Sequence, residues 1–287
     1  EEMLLSDEAF AGGVSHRGRD GVFAMKLHEH DKYNGSLRAS KSWFFFGNRI
    51  VCMGSDIENK AGGGLHTTLF QNFMENVSDT LVVNGEAVTQ FPYRAELAGG
   101  AVLRDNLHNV WFVPEGKVCV TKRLQRSLDE ETDAPTQNDF ATAWIDHGSG
   151  VVSGGGYEYM LVVHASDGEA ARYARELPYE VLRRDASAHI LRDRLSGAVG
   201  YALFASGKVG EGLLESVSLP SLVMIGGDGE GLTVSAADPD LRFYEGPGDE
   251  VFDADGKRVE RSVYSRKWID NPSGASQLEV VIRGRWQ

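Results

Sequence analysis

The sequence predicts an all-β fold: a large antiparallel β-sandwich over residues 1–216, followed by a small C-terminal β-sandwich over residues 217–287. Three observations predict it. Turn signals recur at short spacing, among them Gly12-Gly13, Asn34-Gly35, Gly47-Asn48, Gly62-Gly63-Gly64, Asn84-Gly85, Gly99-Gly100, Gly154-Gly155-Gly156 and Gly226-Gly227. Between them lie short runs rich in β-branched and aromatic residues, a composition that suits a pleated, half-buried surface. Glycine supplies 34 of the 287 residues, and loops are the easiest place for them, because glycine weakens helix and strand interiors.

Val22 to Leu27 reads as the first strand. It carries one lysine, no proline and apolar residues on both faces, so it reads as a poorly protected edge. Arg38 to Phe46 and Arg49 to Met53 form two strands around Gly47-Asn48, a pair suited to a two-residue hairpin turn. Trp43 and Phe45 alternate with Phe44 and Phe46, so both faces are apolar and the strand belongs between two layers. Further strands are expected at Leu81 to Val83, Val118 to Thr121, Tyr159 to Val163, Tyr201 to Phe204 and Leu278 to Ile282. One helix stands out. Ser166-Asp167-Gly168-Glu169 is a capping box, Ala170 to Leu177 continue it, and Pro178 stops it. Leu128 to Asp133, leading into Pro135, reads as a loop. The boundary between the sandwiches is placed at Ser216 to Pro220, leaving a C-terminal unit small enough to lean on its neighbour for part of its core.

The formal charge is −13, from 42 acids against 29 bases. A field of that sign repels a polyanion, which argues against a nucleic-acid partner. No apolar run approaches the ~18 residues needed to span a bilayer, so no membrane partner is expected. Glu1 to Leu5 show no basic stretch followed by an apolar one, so no leader is visible. Cys52 and Cys119 sit in apolar runs and read as two buried free thiols, with a single disulfide as the alternative. Neither lies beside a basic residue or helix start that would activate it.

Five constellations could carry chemistry. His28 and His30 share one face of a strand in His28-Glu29-His30-Asp31, but zinc needs a third ligand that the sequence does not nominate. Asp146-His147 ends a strand with Ser149 nearby, yet no Gly-x-Ser-x-Gly elbow accompanies them. Gly62-Gly63-Gly64 and Gly154-Gly155-Gly156 lack the Lys-Ser/Thr and helix of a phosphate loop, and read as turns. Arg183, Arg184, Arg192 and Arg194 make the best basic cluster, a solvated face first and a sulfate contact second. Asn34-Gly35-Ser36 and Asn76-Val77-Ser78 match the glycosylation pattern, which recurs by chance. No cofactor, no metal and no catalytic residue is assigned.

Several segments together carry a resemblance: Ala11-Gly12-Gly13-Val14-Ser15, Phe23-Ala24-Met25-Lys26-Leu27, Arg38 to Gly54, and His66-Thr67-Thr68-Leu69-Phe70-Gln71. Ala143-Trp144-Ile145-Asp146-His147, Tyr157-Glu158-Tyr159-Met160 and Leu232-Thr233-Val234-Ser235-Ala236 follow in order. With these segments the chain resembles the C-terminal β-sandwich half of the chondroitin sulfate ABC lyases. They belong to the polysaccharide lyases that include the chondroitin AC, hyaluronate and xanthan enzymes.

The resemblance implies a galactose-mutarotase-like supersandwich that lacks its first strands, in a parent enzyme that is periplasmic or secreted by a bacterium. It implies β-elimination at a uronic acid of chondroitin or dermatan sulfate, with hyaluronan left open. That chemistry needs a base for the C5 proton, a cation at the carboxylate and an acid for the leaving oxygen. The family carries these as a His, a Tyr and an Arg on an N-terminal helical toroid and a Glu early in the sandwich, and none maps onto a position here. The expectation is a scaffold that packs on the toroid and is inactive alone. The alternative is a carbohydrate-binding sandwich with a row of aromatics, drawn from Trp43, Trp111, Trp144, Trp268 and Trp286. The first three of these read as core. A metal hydrolase built on His28 and His30 ranks third.

Overall fold

The computed structural model describes residues 7–33, 35–227 and 231–241, and strand backbone at 251–252, 258–259 and 277–283. Trp268, Trp286 and Asn34 lie outside the described residues. The chain opens with β1 (Ala11–His16), β2 (Asp20–His28), β3 (Arg38–Phe46) and β4 (Arg49–Asn59), an antiparallel meander. Next come β5 (Gly64–Phe73), β6 (Leu81–Val83), β7 (Glu86–Val88), β8 (Tyr93–Leu97), β9 (Ala101–Arg104) and β10 (Val110–Val113). The long strands β11 (Lys117–Leu128), β12 (Pro135–Ser149) and β13 (Val152–Val162) precede the helix α1 (Asp167–Arg175). After it run β14 (Tyr179–Arg184), β15 (Ala188–Asp193), β16 (Val199–Leu203) and the short pair β17 (Gly207–Lys208) and β18 (Ser216–Val217). The last are β19 (Ser221–Gly227), β20 (Gly231–Ala237), β21 (Val251–Phe252), β22 (Arg258–Val259) and β23 (Gln277–Arg283).

Three sheets stack as layers. The central one has nine strands in the order β1-β2-β3-β4-β13-β10-β9-β6-β7. A four-stranded sheet, β5-β12-β11-β8, covers one of its faces, and a six-stranded sheet, β14-β15-β16-β19-β20-β23, covers the other. Strand alternation splits the central side chains between two cores. Phe44, Phe46, Met53, Phe112 and Met160 pack toward Leu191, Leu222 and Met224 of the six-stranded sheet. Cys52, Leu103, Trp111 and Tyr159 pack toward Phe70, Val118, Val120 and Ala143 of the four-stranded sheet. The all-β expectation and the layered placement of β3 are both met.

The hairpin at Gly47-Asn48 forms as expected, with Gly47 at φ +60° supplying the left-handed position. The helix also forms with its capping box, Ser166 accepting from the Glu169 amide and the Glu169 side chain from the Ser166 amide. Three glycine clusters differ from expectation, and one of them, Gly226-Gly227, ends β19, where a side chain on Gly226 would come within 3.3 Å of Ala198. Gly12-Gly13 lies within β1, where a side chain on Gly12 would come within 3.0 Å of the Pro239 backbone. Gly154-Gly155-Gly156 lies within β13, at two register shifts against β4. Close approach and bulging, rather than turning, explain these glycines.

Two placements are corrected. β2 is not an edge, because it bonds to β1 on one side and β3 on the other. β1, which the Gly-Gly pair disguised as a turn, takes the end position. The boundary expected at Ser216 to Pro220 is not a break either. β19 pairs along its length with β16, so the six-stranded sheet runs through that point and starts at β14, directly after α1. Pro220 marks only the return from the β17–β18 excursion.

Candidate functional site

His28 and His30 part company. His28 Nδ1 bonds to Asp7 and its Nε2 lies 3.1 Å from the Gly35 carbonyl, while His30 Nδ1 accepts from the Lys32 amide at 3.1 Å. The Asp7 bond raises the His28 pKa. Among the described residues no three His, Cys, Asp or Glu side chains come together as a metal site.

Asp146 and His147 face opposite sides of β12, as neighbours on a strand must. Asp146 accepts from the Gly148 amide at 2.9 Å and pairs with Lys117 at 3.1 Å on the outer face of the four-stranded sheet. The Gly148 amide and Lys117 hold its pKa low. His147 turns inward, with Nε2 2.8 Å from Thr67 Oγ1 and its pKa lowered by burial. Ser149 is exposed at the strand end, so no hydrolytic triad is assembled.

The arginine cluster is neutralised residue by residue. Arg183 pairs with Asp185, Arg184 with Glu115 and Glu158, Arg192 with Glu180, and Arg194 with Glu176. Each guanidinium charge is thus offset by a neighbouring carboxylate, which weakens its pull on a sulfate. Both cysteines are buried and free. Cys52, deep in the core, has its thiol pushed up to about 12 by burial, the reverse of activation.

Of the described tryptophans, only Trp111 is core. It is 7% exposed, its Nε1 donates to Asp105 Oδ2 at 3.0 Å, and its ring packs on Phe70 at 5.6 Å and Tyr159 at 5.9 Å. Trp144 points outward from β12 beside His66, at a ring distance of 5.3 Å. Trp43 is only partly buried. Its ring lies 5.5 Å from that of Phe23, which is 38% exposed, and Lys41 Nζ sits 5.5 Å over it. Periodicity marked both faces of β3 as apolar but could not say that one of them is covered less.

Phe23, Trp43 and Phe45 therefore define a partly open aromatic face on β2 and β3. Beside it runs a shallow groove of ≈ 560 Å³ lined by Gly13, Ser15, Gly21, Phe23, Phe45 and Gly47. Three buried tyrosines at the central sheet, Tyr157, Tyr159 and Tyr179, have their pKa raised by burial. A phenol held neutral in this way is a poor base.

The sequence profile of the polysaccharide lyase family 8 super-sandwich domain matches residues 1–174. The chain belongs to polysaccharide lyase family 8. It is 40% identical over 291 residues to the chondroitin sulfate ABC exolyase of Bacteroides thetaiotaomicron, covering 100% of this chain and 28% of that enzyme. The corresponding figures for the chondroitin sulfate ABC exolyase of Proteus vulgaris are 35% over 292 residues, 100% and 29%. The structure of Paenibacillus xanthan lyase superposes with a TM-score of 0.74 over 83% of this chain and 24% of that one, at 24% identity, a likeness of fold. This family 8 chain thus spans less than a third of the length of the curated relatives it matches, corresponding to a C-terminal portion of them. The super-sandwich match ends at residue 174, inside α1, and the six-stranded sheet of this family 8 chain begins immediately beyond, at Tyr179.

Proposed function

We propose that these residues are the β-sandwich scaffold of an eliminase that cleaves chondroitin or dermatan sulfate, and hyaluronan as a further substrate, at uronic acid. The observation that carries the substrate class is the 40% identity along the whole chain to a chondroitin sulfate ABC exolyase. The scaffold role is supported by what the described residues offer chemically. Tyr157 and Tyr159 are raised in pKa, the clustered arginines are matched by acids, and His147 is half-buried against Thr67. Elimination needs the opposite: an activated base and a free cation at the carboxylate. Those groups come from a helical domain of the longer polypeptide, on which this sandwich packs. A polymeric substrate suits an enzyme working in the bacterial periplasm or outside the cell.

The test is direct. The purified 287-residue chain, mixed with chondroitin sulfate, gives no protein-dependent rise in the absorbance of unsaturated uronates, whereas the longer polypeptide does. Turnover by the 287-residue chain alone would overturn the scaffold reading. A second reading, carbohydrate binding without catalysis, is favoured by the open Phe23–Trp43 face. Retardation of the chain in a gel containing chondroitin sulfate, lost in Trp43→Ala, would support it.

A further inference from the structure

The outer face of the four-stranded sheet is built around Trp144. Residues paired directly across antiparallel strands share a face. Glu96, Cys119, Trp144 and Thr68 therefore form one row across β8, β11, β12 and β5, and Arg94, Thr121, Thr142 and Gln71 form the next. Val118, Val120, Ala143 and Ile145 alternate with them and point into the core, so both rows face outward. Lys117, Asp146 and His66 make a third row on the other side of Trp144.

The side chains paired with Trp144 are small, Cys119 on β11 and Thr68 on β5, so the half-buried indole stands in a low bed. The exposed His66 ring lies 5.3 Å from it at an interplanar angle of 34°. Around this pair the polar side chains are tied to one another across the strands. Arg94 Nη2 donates to Glu96 at 2.7 Å, and Lys117 Nζ bridges Glu96 and Asp146 at 3.0 and 3.1 Å. Gln71 Nε2 donates to Gln125 Oε1 at 2.5 Å, and Gln125 Nε2 to Thr142 Oγ1 at 2.9 Å. Two polar atoms inside this ring of fixed groups have no hydrogen-bond partner, Trp144 Nε1 and the Oγ1 of Thr121, which is 3% exposed. Buried polar groups are normally paired, so two on one face ask for a further partner.

We propose that this face is a binding platform for the pyranose rings of a polysaccharide, with one ring seated on Trp144 and His66. A pyranose carries C–H groups on its faces and hydroxyls around its edge, which matches a flat aromatic pair inside a polar rim. Each hydroxyl is donor and acceptor at once, so it completes either the indole N–H or Thr121 Oγ1. Gln71, Arg94 and Glu96 are held ready to take the others, which lowers the cost of ordering them on binding. The charge pattern favours this occupant over a nucleic acid, because Arg94 and Lys117 are balanced by Glu96 and Asp146. An apolar protein surface would in turn leave that polar rim without water or partners. The platform is separate from the Phe23–Trp43 face, which lies on β2 and β3 of the central sheet. The proposal rests on the reading that the longer polypeptide acts on a polysaccharide.

The test titrates the 287-residue chain with chondroitin oligosaccharide in a calorimeter, so that removing a tryptophan does not remove the signal. Saturable heat is expected, with affinity weakened roughly tenfold or more in Trp144→Ala, about threefold in His66→Ala, and unchanged in Trp43→Ala. Both substituted side chains face outward, so circular dichroism and urea midpoints stay near those of the parent. If Trp144→Ala fails to fold, Trp144→Phe and His66→Ala carry the comparison. Affinity that holds between about 0.05 and 0.5 M salt supports a charge-balanced platform, and affinity that collapses over that range overturns it. Binding lost in Trp43→Ala but kept in Trp144→Ala gives the sugar to the Phe23–Trp43 face and overturns the proposal. Equal affinity in all variants, or no saturable heat, overturns it as well. So does a longer polypeptide in which Trp144 is shielded from iodide before sugar is added, since the face then belongs to protein. Turnover by the 287-residue chain bears on the scaffold reading and leaves these affinities unaffected.

Discussion

Arg49 and Asp193 form a buried two-point ion pair that joins the central sheet to the six-stranded sheet, with Nη1–Oδ1 at 2.5 Å and Nη2–Oδ2 at 3.3 Å. The aspartate also accepts from the Ser196 amide and hydroxyl, at 2.9 and 2.7 Å, so its lone pairs are well used. The arginine additionally lies 5.8 Å over the Phe46 ring. Burial opposes the charged carboxylate, yet Arg49 and Ser196 keep its pKa below the ordinary value. Removing one partner strands the other charge, so Asp193→Ala lowers stability by about 3–5 kcal/mol. The double variant Arg49→Met/Asp193→Leu recovers most of that loss, because an apolar pair of similar volume replaces a desolvated ionic one. Urea denaturation of the three proteins checks both statements. A double variant as unstable as Asp193→Ala would contradict them.

What could be read from the sequence is what depends on neighbours in sequence. The Gly47-Asn48 turn, the Ser166–Glu169 capping box and the alternation of Phe44 and Phe46 are local signals, and each appears in the structure. Gly12-Gly13 and Gly154-Gly155-Gly156 carry the same local signal as turns but sit in strands, because their smallness serves distant partners, Pro239 and Ile57. The sheet that runs past Pro220 rests on β16–β19 pairing across the β17–β18 excursion, which no local pattern encodes. The candidate sites failed for a related reason. Arg184 meets Glu115, 69 residues away, and His147 meets Thr67, 80 residues away.

Phe44 and Trp43 make a paired prediction from this layering. Phe44 is 0% exposed and faces the six-stranded sheet, whereas Trp43 is partly open on the other side. Phe44→Ala costs about 3–5 kcal/mol, and Trp43→Ala costs distinctly less despite the larger side chain. Chemical denaturation of the two variants decides it. The reverse order would mean that the open face is covered in solution.

Gly200 in β16 sits directly against Phe44. A Cβ there would lie 2.6 Å from Phe44 Cδ1 and 3.0 Å from Val22 Cγ2. Gly200→Ala therefore overpacks the layer between the two sheets and lowers stability by about 1–3 kcal/mol. Adding Phe44→Leu relieves the clash, so the second substitution costs less in the Gly200→Ala background than alone. Double-mutant-cycle analysis reads this coupling directly. Additive costs would show that the sheets separate freely at this point.

His189 sets the behaviour of the fold in acid. It is fully buried on β15 between two serines of the central sheet, with Nδ1 2.7 Å from Ser42 Oγ and Nε2 2.8 Å from Ser55 Oγ. Ser55 donates its hydroxyl to the Asp185 carbonyl at 2.9 Å, so it can only accept from the ring. Nε2 therefore carries the proton and Nδ1 accepts from Ser42, which fixes one neutral tautomer. Burial drives the pKa down to about 3 from an ordinary 6.5, with the Arg184 charge adding to the effect. Between those values the unfolded chain binds a proton that the folded chain refuses. Stability is thus fully present above about pH 6.5 and falls as pH drops toward 3, by up to roughly 1.4 kcal/mol per pH unit from this residue. His189→Leu leaves two serine hydroxyls unpaired by the ring and costs about 1–3 kcal/mol near neutrality. It also removes this share of the acid slope, so the variant and the parent converge in stability as the pH is lowered from 6.5 to 4. Urea midpoints measured across that range test the sign. A gap between the two proteins that stays constant with pH would mean that His189 protonates as readily folded as unfolded, and that the buried serine–histidine–serine link is open to water.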